Sequence, residues 1–294
     1  MTTGTMKWEH GETVYEVFGD LISGKIPVVL VHGGPGFTSH SMKVIARYVA
    51  ATGRPAITYD QIGCGDSTHL QDKPKDFWSL ELFKKEFELL VDHLGISNGF
   101  ALLGHSWGGL LAAEIAITHP QGLKALVLSS SLVDTDMWEV EARRLALEMP
   151  PEFSEPLIRH EDAGTVDSEE YQVAITEFYR RHLCRIPLPP EILKAVEESG
   201  KDGTVYGAMW GHSELSCTGN LKHHVVSDRL NRISVPTRIF SGRHDESTPA
   251  SNKTLFDSIP NSEWEIFEES AHMTYMEEAA KYQRLLNAFL DQAL

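Results

Sequence analysis

The chain has 294 residues, 41% of them hydrophobic, and a formal net charge of −16. This is enough apolar material for one elaborated domain, or for a core with an insert. A surface so acidic repels phosphate backbones and anionic lipid, so neither nucleic acid nor a membrane is an expected partner.

Met1 to His10 lacks the basic-then-apolar pattern of a signal peptide. Thr13 to Gly19 alternates as a strand, and Pro27 to His32 is a continuous apolar strand that His32-Gly33-Gly34-Pro35-Gly36 ends abruptly. Ser41 to Ala51 reads as a helix and Ala56 to Asp60 as another buried strand. That strand runs into Asp60-Gln61-Ile62-Gly63-Cys64-Gly65-Asp66-Ser67. Ser79 starts a helix whose apolar face is Phe83, Phe87, Leu90, Val91 and Leu94, and Gly95 stops it. Strands follow at Phe100 to Leu103 and Lys124 to Ser130, with a buried helix over Leu110 to Ile117 between them. Strands alternating with helices predict a parallel sheet with helices on both faces. From Val133 the pattern breaks. Met137 to Glu148 is helix-like, Pro150 and Pro151 interrupt it, and Ser168 to Arg185 and Glu191 to Glu198 read as helices. Strands resume at Thr237 to Ser241 and Ser262 to Phe267, and Glu277 to Leu294 closes the chain as an amphipathic helix. The expected organisation is a core over 1–132 and 232–294 with a helical cap inserted at 133–231.

The chemistry centres on Gly104-His105-Ser106-Trp107-Gly108-Gly109. A Gly-x-Ser-x-Gly between a buried strand and a buried helix marks a nucleophile elbow, a strained turn that lifts the serine hydroxyl above the sheet. A serine needs a base, and the base needs an orienting carboxylate. In this arrangement the chain order is Ser, then Asp or Glu, then His. Asp245 and His272 each stand just past a strand end, on the edge that carries Ser106. Asp134, after an earlier strand, is the competing carboxylate. The chain has 14 histidines, so position rather than type singles out His272. The backbone N–H groups of Trp107 and Gly34 are the expected oxyanion donors. His212, His223 and His224 fit no zinc spacing, and no metal or other cofactor is expected. The three cysteines, Cys64, Cys184 and Cys217, are too few and too scattered for a disulfide framework. A reducing, cytoplasmic compartment is expected.

The Gly-Gly-Pro-Gly loop, the Asp-Gln-x-Gly-x-Gly-x-Ser segment and the elbow together resemble the proline iminopeptidase family, and the resemblance runs through most of the chain. It implies an α/β-hydrolase fold, a mostly parallel twisted sheet with a helical cap before the last two strands. It also implies metal-free cleavage of N-terminal residues, often proline, from short peptides, amides or arylamides. Glu214 and Glu246 stand where the resemblance implies carboxylates for the substrate ammonium. Gly33, Phe37, Tyr206 and Trp210 are expected to line the substrate pocket, with Trp107, Met209 and Tyr275 as further aromatic or apolar candidates. Two alternatives use the same scaffold: an esterase or lactonase that does not need the glutamate pair, and a catalytically silent ligand receptor. The sequence leaves the oligomeric state and the preferred N-terminal residue open.

Overall fold

The computed structural model describes residues 1–294, apart from the side chain of Glu191. Its centre is one eight-stranded sheet in the order β1-β2-β4-β3-β5-β6-β7-β8. These strands are β1 (Thr2–Trp8), β2 (Gly11–Phe18), β3 (Val28–Val31), β4 (Ala56–Tyr59), β5 (Phe100–His105), β6 (Leu123–Ser129), β7 (Thr237–Gly242) and β8 (Ser262–Phe267). β1 and β2 form an antiparallel hairpin and β2 runs antiparallel to β4. Every pair from β4 across to β8 is parallel.

Parallel strands are covered on both faces, so they are apolar on both sides of the pleat. Val28 and Leu30 point to one face, into a core with Ile45, Ala46 and Val49 of α1 (Lys43–Ala50) and with Tyr282 and Leu286 of α11 (Ala279–Ala293). Val29 and Val31 point to the other, against Phe83 and Phe87 of α2 (Leu80–His93) and Leu110 and Leu111 of α3 (Trp107–Ile117). Ser79 caps α2 by accepting the Leu82 N–H at 3.4 Å. Gly95 takes φ +69° just beyond that helix.

Five helices lie between β6 and β7: α4 (Thr135–Leu147), α5 (Pro151–Ala163), α6 (Glu169–His182), α7 (Pro190–Ser199) and α8 (Thr204–Met209). After β7 come α9 (Pro249–Ser258), β8, the short α10 (Thr274–Glu277) and α11.

Two elements depart from the sequence expectation. β1 was not anticipated; its exposed face mixes polar residues with glycine, and only Met6 of the strand is buried. Pro150 and Pro151 do not simply end a helix, since Pro151 opens α5. A proline in the first turn loses only an N–H that has no partner in the helix anyway.

Candidate active site

Ser106 sits between β5 and α3 with φ 58° and ψ −124°, a strained conformation for a residue with a Cβ. The turn closes because its flanks are glycines. A Cβ on Gly104 would lie 2.0 Å from the Gly108 carbonyl oxygen, and one on Gly108 would lie 2.3 Å from that of Val31. Those obstacles are backbone and cannot swing away. The Ser106 N–H donates to Ser129 O at 3.1 Å, and its own carbonyl accepts from Gly109 and Leu132. The side chain is thus held at the C-terminal edge of the sheet, where open α/β sheets carry their sites.

His272, beyond β8, is buried, and its Nδ1 lies 2.7 Å from Asp245 Oδ1. Asp245, beyond β7, is fully buried and also accepts from the N–H groups of Ser247 and Gly242. The carboxylate thus takes three donors, and the ring is fixed with Nδ1–H towards Asp245 and Nε2 free to face the cavity. Asp134 is engaged elsewhere. It accepts from the Val226 and Ser227 N–H groups and the Ser227 hydroxyl, anchoring the return of the chain towards β7.

The loop after β3 approaches Ser106 closely. A Cβ on Gly33 would fall 3.0 Å from the Ser106 Cβ. His32 orients this loop, a role that sequence reasoning did not assign. Its Nε2 accepts from the Gln61 N–H at 3.1 Å, so its Nδ1 carries the proton and donates to Gly33 O at 2.9 Å. With the Gly33 carbonyl held this way, the Gly34 N–H across the same trans peptide points to the opposite side. Gly34 has φ +113°, and a Cβ there would meet the Gly36 N at 2.5 Å. At the elbow, the Trp107 N–H belongs to the first residue of α3 and has no carbonyl partner within the helix. Asp60 braces the same region by accepting from the Ser39 and Asp66 N–H groups. Gln61 ties it together, donating to His32 O and accepting from the Trp107 indole.

A cavity of about 560 Å³ opens over Ser106 and His272. Gly33, Gly34, Phe37, Tyr206, Glu214, Glu246 and Tyr275 line it. Trp210 does not, which corrects the sequence expectation. Its indole donates to Ser213 O at 2.8 Å and its ring packs edge-on against Trp138, so it forms the support behind the wall. Trp107 and Met209 are likewise fully buried core residues.

Glu246 is 2% exposed, with Oε1 3.9 Å from His272 Nε2 and Oε2 without a hydrogen-bond partner. Burial, and then the nearby charges of Glu214 and Asp245, push its carboxyl well above the usual range. Glu214 is raised by burial too, against the Tyr206 hydroxyl that donates to its Oε2 at 2.6 Å. Buried Glu246 and half-buried Glu214 thus bring two acidic groups to one cavity, whose lining, among the described residues, holds no lysine or arginine to keep both ionised.

Two further supports escaped the sequence reading. His105 lies edge-on to His272, ring centroids 4.7 Å apart, and its Nε2–H donates to His272 O at 3.1 Å. Burial, then the neighbouring His272, lower it to about 3, so it stays neutral. Glu161 of the unanticipated α5 accepts from the hydroxyls of Tyr171, Ser213 and Ser216, holding the loop that carries Glu214. No motif around Glu161 marks that role in the sequence. The remaining histidine candidates are dispersed, with His223 on Asp136 and His224 on Glu114. Among the described residues no group of three or more His, Cys, Asp or Glu side chains is arranged to hold a metal ion. No helix is long and apolar enough to cross a membrane.

Comparison with known proteins extends the likeness to the whole chain. Residues 26–279 match the family model described as alpha/beta hydrolase fold. The proline iminopeptidase of Clostridium botulinum is 39% identical over 295 residues, covering 99% of both chains. That of Heyndrickxia coagulans is 35% identical over 292 residues, again covering 99% of both. Among solved structures, VinJ is 40% identical with a TM-score of 0.96, over 100% of this chain and 99% of that one. The proline iminopeptidase of Mycobacterium smegmatis is 36% identical with a TM-score of 0.92, over 99% and 98%. With this sheet, this strained serine turn and this likeness over its full length, the chain belongs to the proline iminopeptidase family of α/β hydrolases.

Proposed function

We propose that the protein is a serine aminopeptidase or amino-acid amidase. It releases an N-terminal residue, proline or another small apolar one, from short peptides, amides or arylamides through an acyl-enzyme. The observation that carries this reading is one cavity lined by Ser106, His272 and two carboxylates, Glu214 and Glu246, that the triad does not use. A substrate α-ammonium draws these two acidic groups to their ionised form, is held between them, and presents the adjacent carbonyl to Ser106.

Ser106 Oγ attacks that carbonyl carbon while His272 Nε2 takes the hydroxyl proton. Asp245 holds the imidazole tautomer and stabilises the imidazolium. The oxyanion receives the Trp107 and Gly34 N–H groups, each typically worth ~3 kcal/mol of barrier. The C–N bond then breaks and the leaving amine takes the proton from His272. Water, activated by the same imidazole, hydrolyses the acyl-enzyme and frees the amino acid. Residues of α6, α7 and α8 line the cavity above this site and restrict it to short substrates. The three unpaired, buried thiols support a cytoplasmic location.

The test compares steady-state hydrolysis of a prolyl-arylamide with its N-acetylated form. Turnover of the free-amine substrate alone, abolished by Ser106→Ala, is the expected result. Turnover of simple esters with neither arylamide cleaved overturns the amine-recognition reading and favours an esterase.

A further inference from the structure

In the mechanism proposed above the base, His272, is carried on a loop between β8 and α10. A loop has no ladder of its own, so its backbone groups find their partners elsewhere. Ser270 O accepts from the His244 N–H, and His272 O accepts from His105. The Ala271 N–H, one residue before the base, donates to a side chain instead: Glu277 Oε2, at 2.9 Å. The other oxygen of that carboxylate, Oε1, accepts the Arg185 N–H at 2.8 Å. Arg185 lies just past the end of α6, so Glu277 bridges the loop of the base to the cap.

The bridge is part of a longer seam. His182 O, at the end of α6, accepts from the Glu246 N–H at 3.1 Å, and His182 Nδ1–H donates to His244 O at 2.8 Å. These contacts fall on either side of Asp245. Leu183 O accepts from the Met273 N–H at 3.2 Å, just beyond His272, and the Arg185 guanidinium donates to Glu269 O at 2.8 Å. The end of one cap helix is thus bonded to the chain on both sides of the orienting acid and on both sides of the base. Within this seam the Glu277 contacts are made by a carboxylate, and such bonds are roughly twice as strong as neutral ones. Burial raises the Glu277 carboxyl, the Arg185 and Ala271 N–H groups oppose that rise, and the nearby charge of Asp245 adds to it. Glu277 does not line the cavity, so it reaches the reaction only through the groups it holds.

We propose that Glu277 is a positioning residue: its carboxylate fixes the approach of His272 to Ser106 from the end of α6, so that the cap sets the geometry of the base as well as the shape of the cavity. This rests on the serine mechanism of the proposed function. As the proton moves from Ser106 Oγ to His272 Nε2, the imidazole must stay in line with both Oγ and Asp245, and a displacement of about 1 Å can cost a hundredfold. A glutamine at 277 offers one carbonyl oxygen to two N–H donors and turns its own NH2 towards the other, so one of the two bonds is lost.

The test compares Glu277→Gln with the unaltered protein on a prolyl-arylamide and on p-nitrophenyl acetate. The expected kcat falls about 10- to 100-fold on both, since both use the base, while KM for the arylamide changes by less than about threefold. The low-field proton resonance of the His272 Nδ1–H against Asp245 is expected to broaden or vanish, a signature that loss of stability alone does not move. Arg54→Ala supplies the comparison. Arg54 donates to Ile26 O and Leu290 O at the opposite edge of the sheet, so its loss should lower the urea midpoint and leave kcat within about twofold. Glu277→Asp, one methylene short of spanning both N–H groups, gives a second reading should the glutamine variant not fold, with a kcat loss of about threefold or more expected. A smaller loss in the variant that folds, a loss confined to KM, or an unmoved Nδ1–H resonance overturns the positioning role. Turnover of both substrates that survives Ser106→Ala overturns instead the serine mechanism beneath it.

Discussion

Replacing Glu246 by glutamine removes the carboxyl that an incoming ammonium would draw to its ionised form, while keeping the shape of the side chain. Glu246 is 2% exposed and its Oε2 has no protein partner, so an incoming ammonium would meet a desolvated acceptor. A hydrogen bond to a charged group contributes about 1.5–3 kcal/mol, so Glu246→Gln is expected to lower kcat/KM for a prolyl-arylamide roughly 10- to 150-fold. The loss should appear mainly in KM if the contact forms equally in the ground and transition states. A second effect needs separating, because Glu246 Oε1 is 3.9 Å from His272 Nε2 and its charge also acts on the imidazole. A small ester without an amine, such as p-nitrophenyl acetate, isolates it, since that substrate uses the triad and the oxyanion donors but makes no ammonium contact. The expected outcome is a large loss on the arylamide and a change of less than about threefold on the ester. An equal loss on both substrates would refute the amine-binding role and make Glu246 a modulator of His272.

Two other predictions follow from named groups. Asp245→Asn, with the Ser247 and Gly242 donors still present, should lower kcat about 10³- to 10⁴-fold by favouring the wrong imidazole tautomer; a loss below tenfold in stopped-flow turnover argues against Asp245 as the orienting acid. Glu86 is fully buried, accepts from Thr13 Oγ1 and the Ile62 N–H, and is pushed up to about 8, chiefly by burial. A carboxyl raised in the folded state stabilises fully only below its unfolded value near 4.5, and that stabilisation is lost as pH rises towards 8. Unfolding free energy in urea should therefore decline by a few kcal/mol over that window, and Glu86→Gln, which keeps both acceptor bonds, should flatten the decline; an unchanged slope in the variant excludes Glu86 as its source.

Much of this site was legible because the chemistry requires rare local geometry. The elbow needs glycine at 104 and 108 for a reason that a single sequence displays: no other side chain fits against the backbone of β3 and α3. Asp245 and His272 were legible as strand-end residues in a fixed order, which a parallel sheet turns into a common edge. Trp210 was misplaced because an aromatic in a cap segment looks the same whether it lines a cavity or supports its wall. The indole bond to Ser213 O decides that, and it depends on tertiary packing. α5 was missed because Pro150 and Pro151 read as breakers, although proline is well suited to the first turn of a new helix.

The groups least legible in the sequence are those that hold other groups in place. His32, His105 and Glu161 carry no motif of their own, yet each fixes one functional element: the oxyanion loop, the His272 backbone and the Glu214 loop. His32 and His105 both have their basicity lowered by burial, so they work as fixed neutral hydrogen-bonding groups and not as proton carriers. That separates the histidines by environment, not by spacing. His272 alone among the three has a buried carboxylate on Nδ1 and the cavity before its Nε2. An imidazole can take and return a proton there only if its neighbours do not compete for it. Keeping His105 neutral, 4.7 Å away ring to ring, keeps a second positive charge from forming beside the imidazolium.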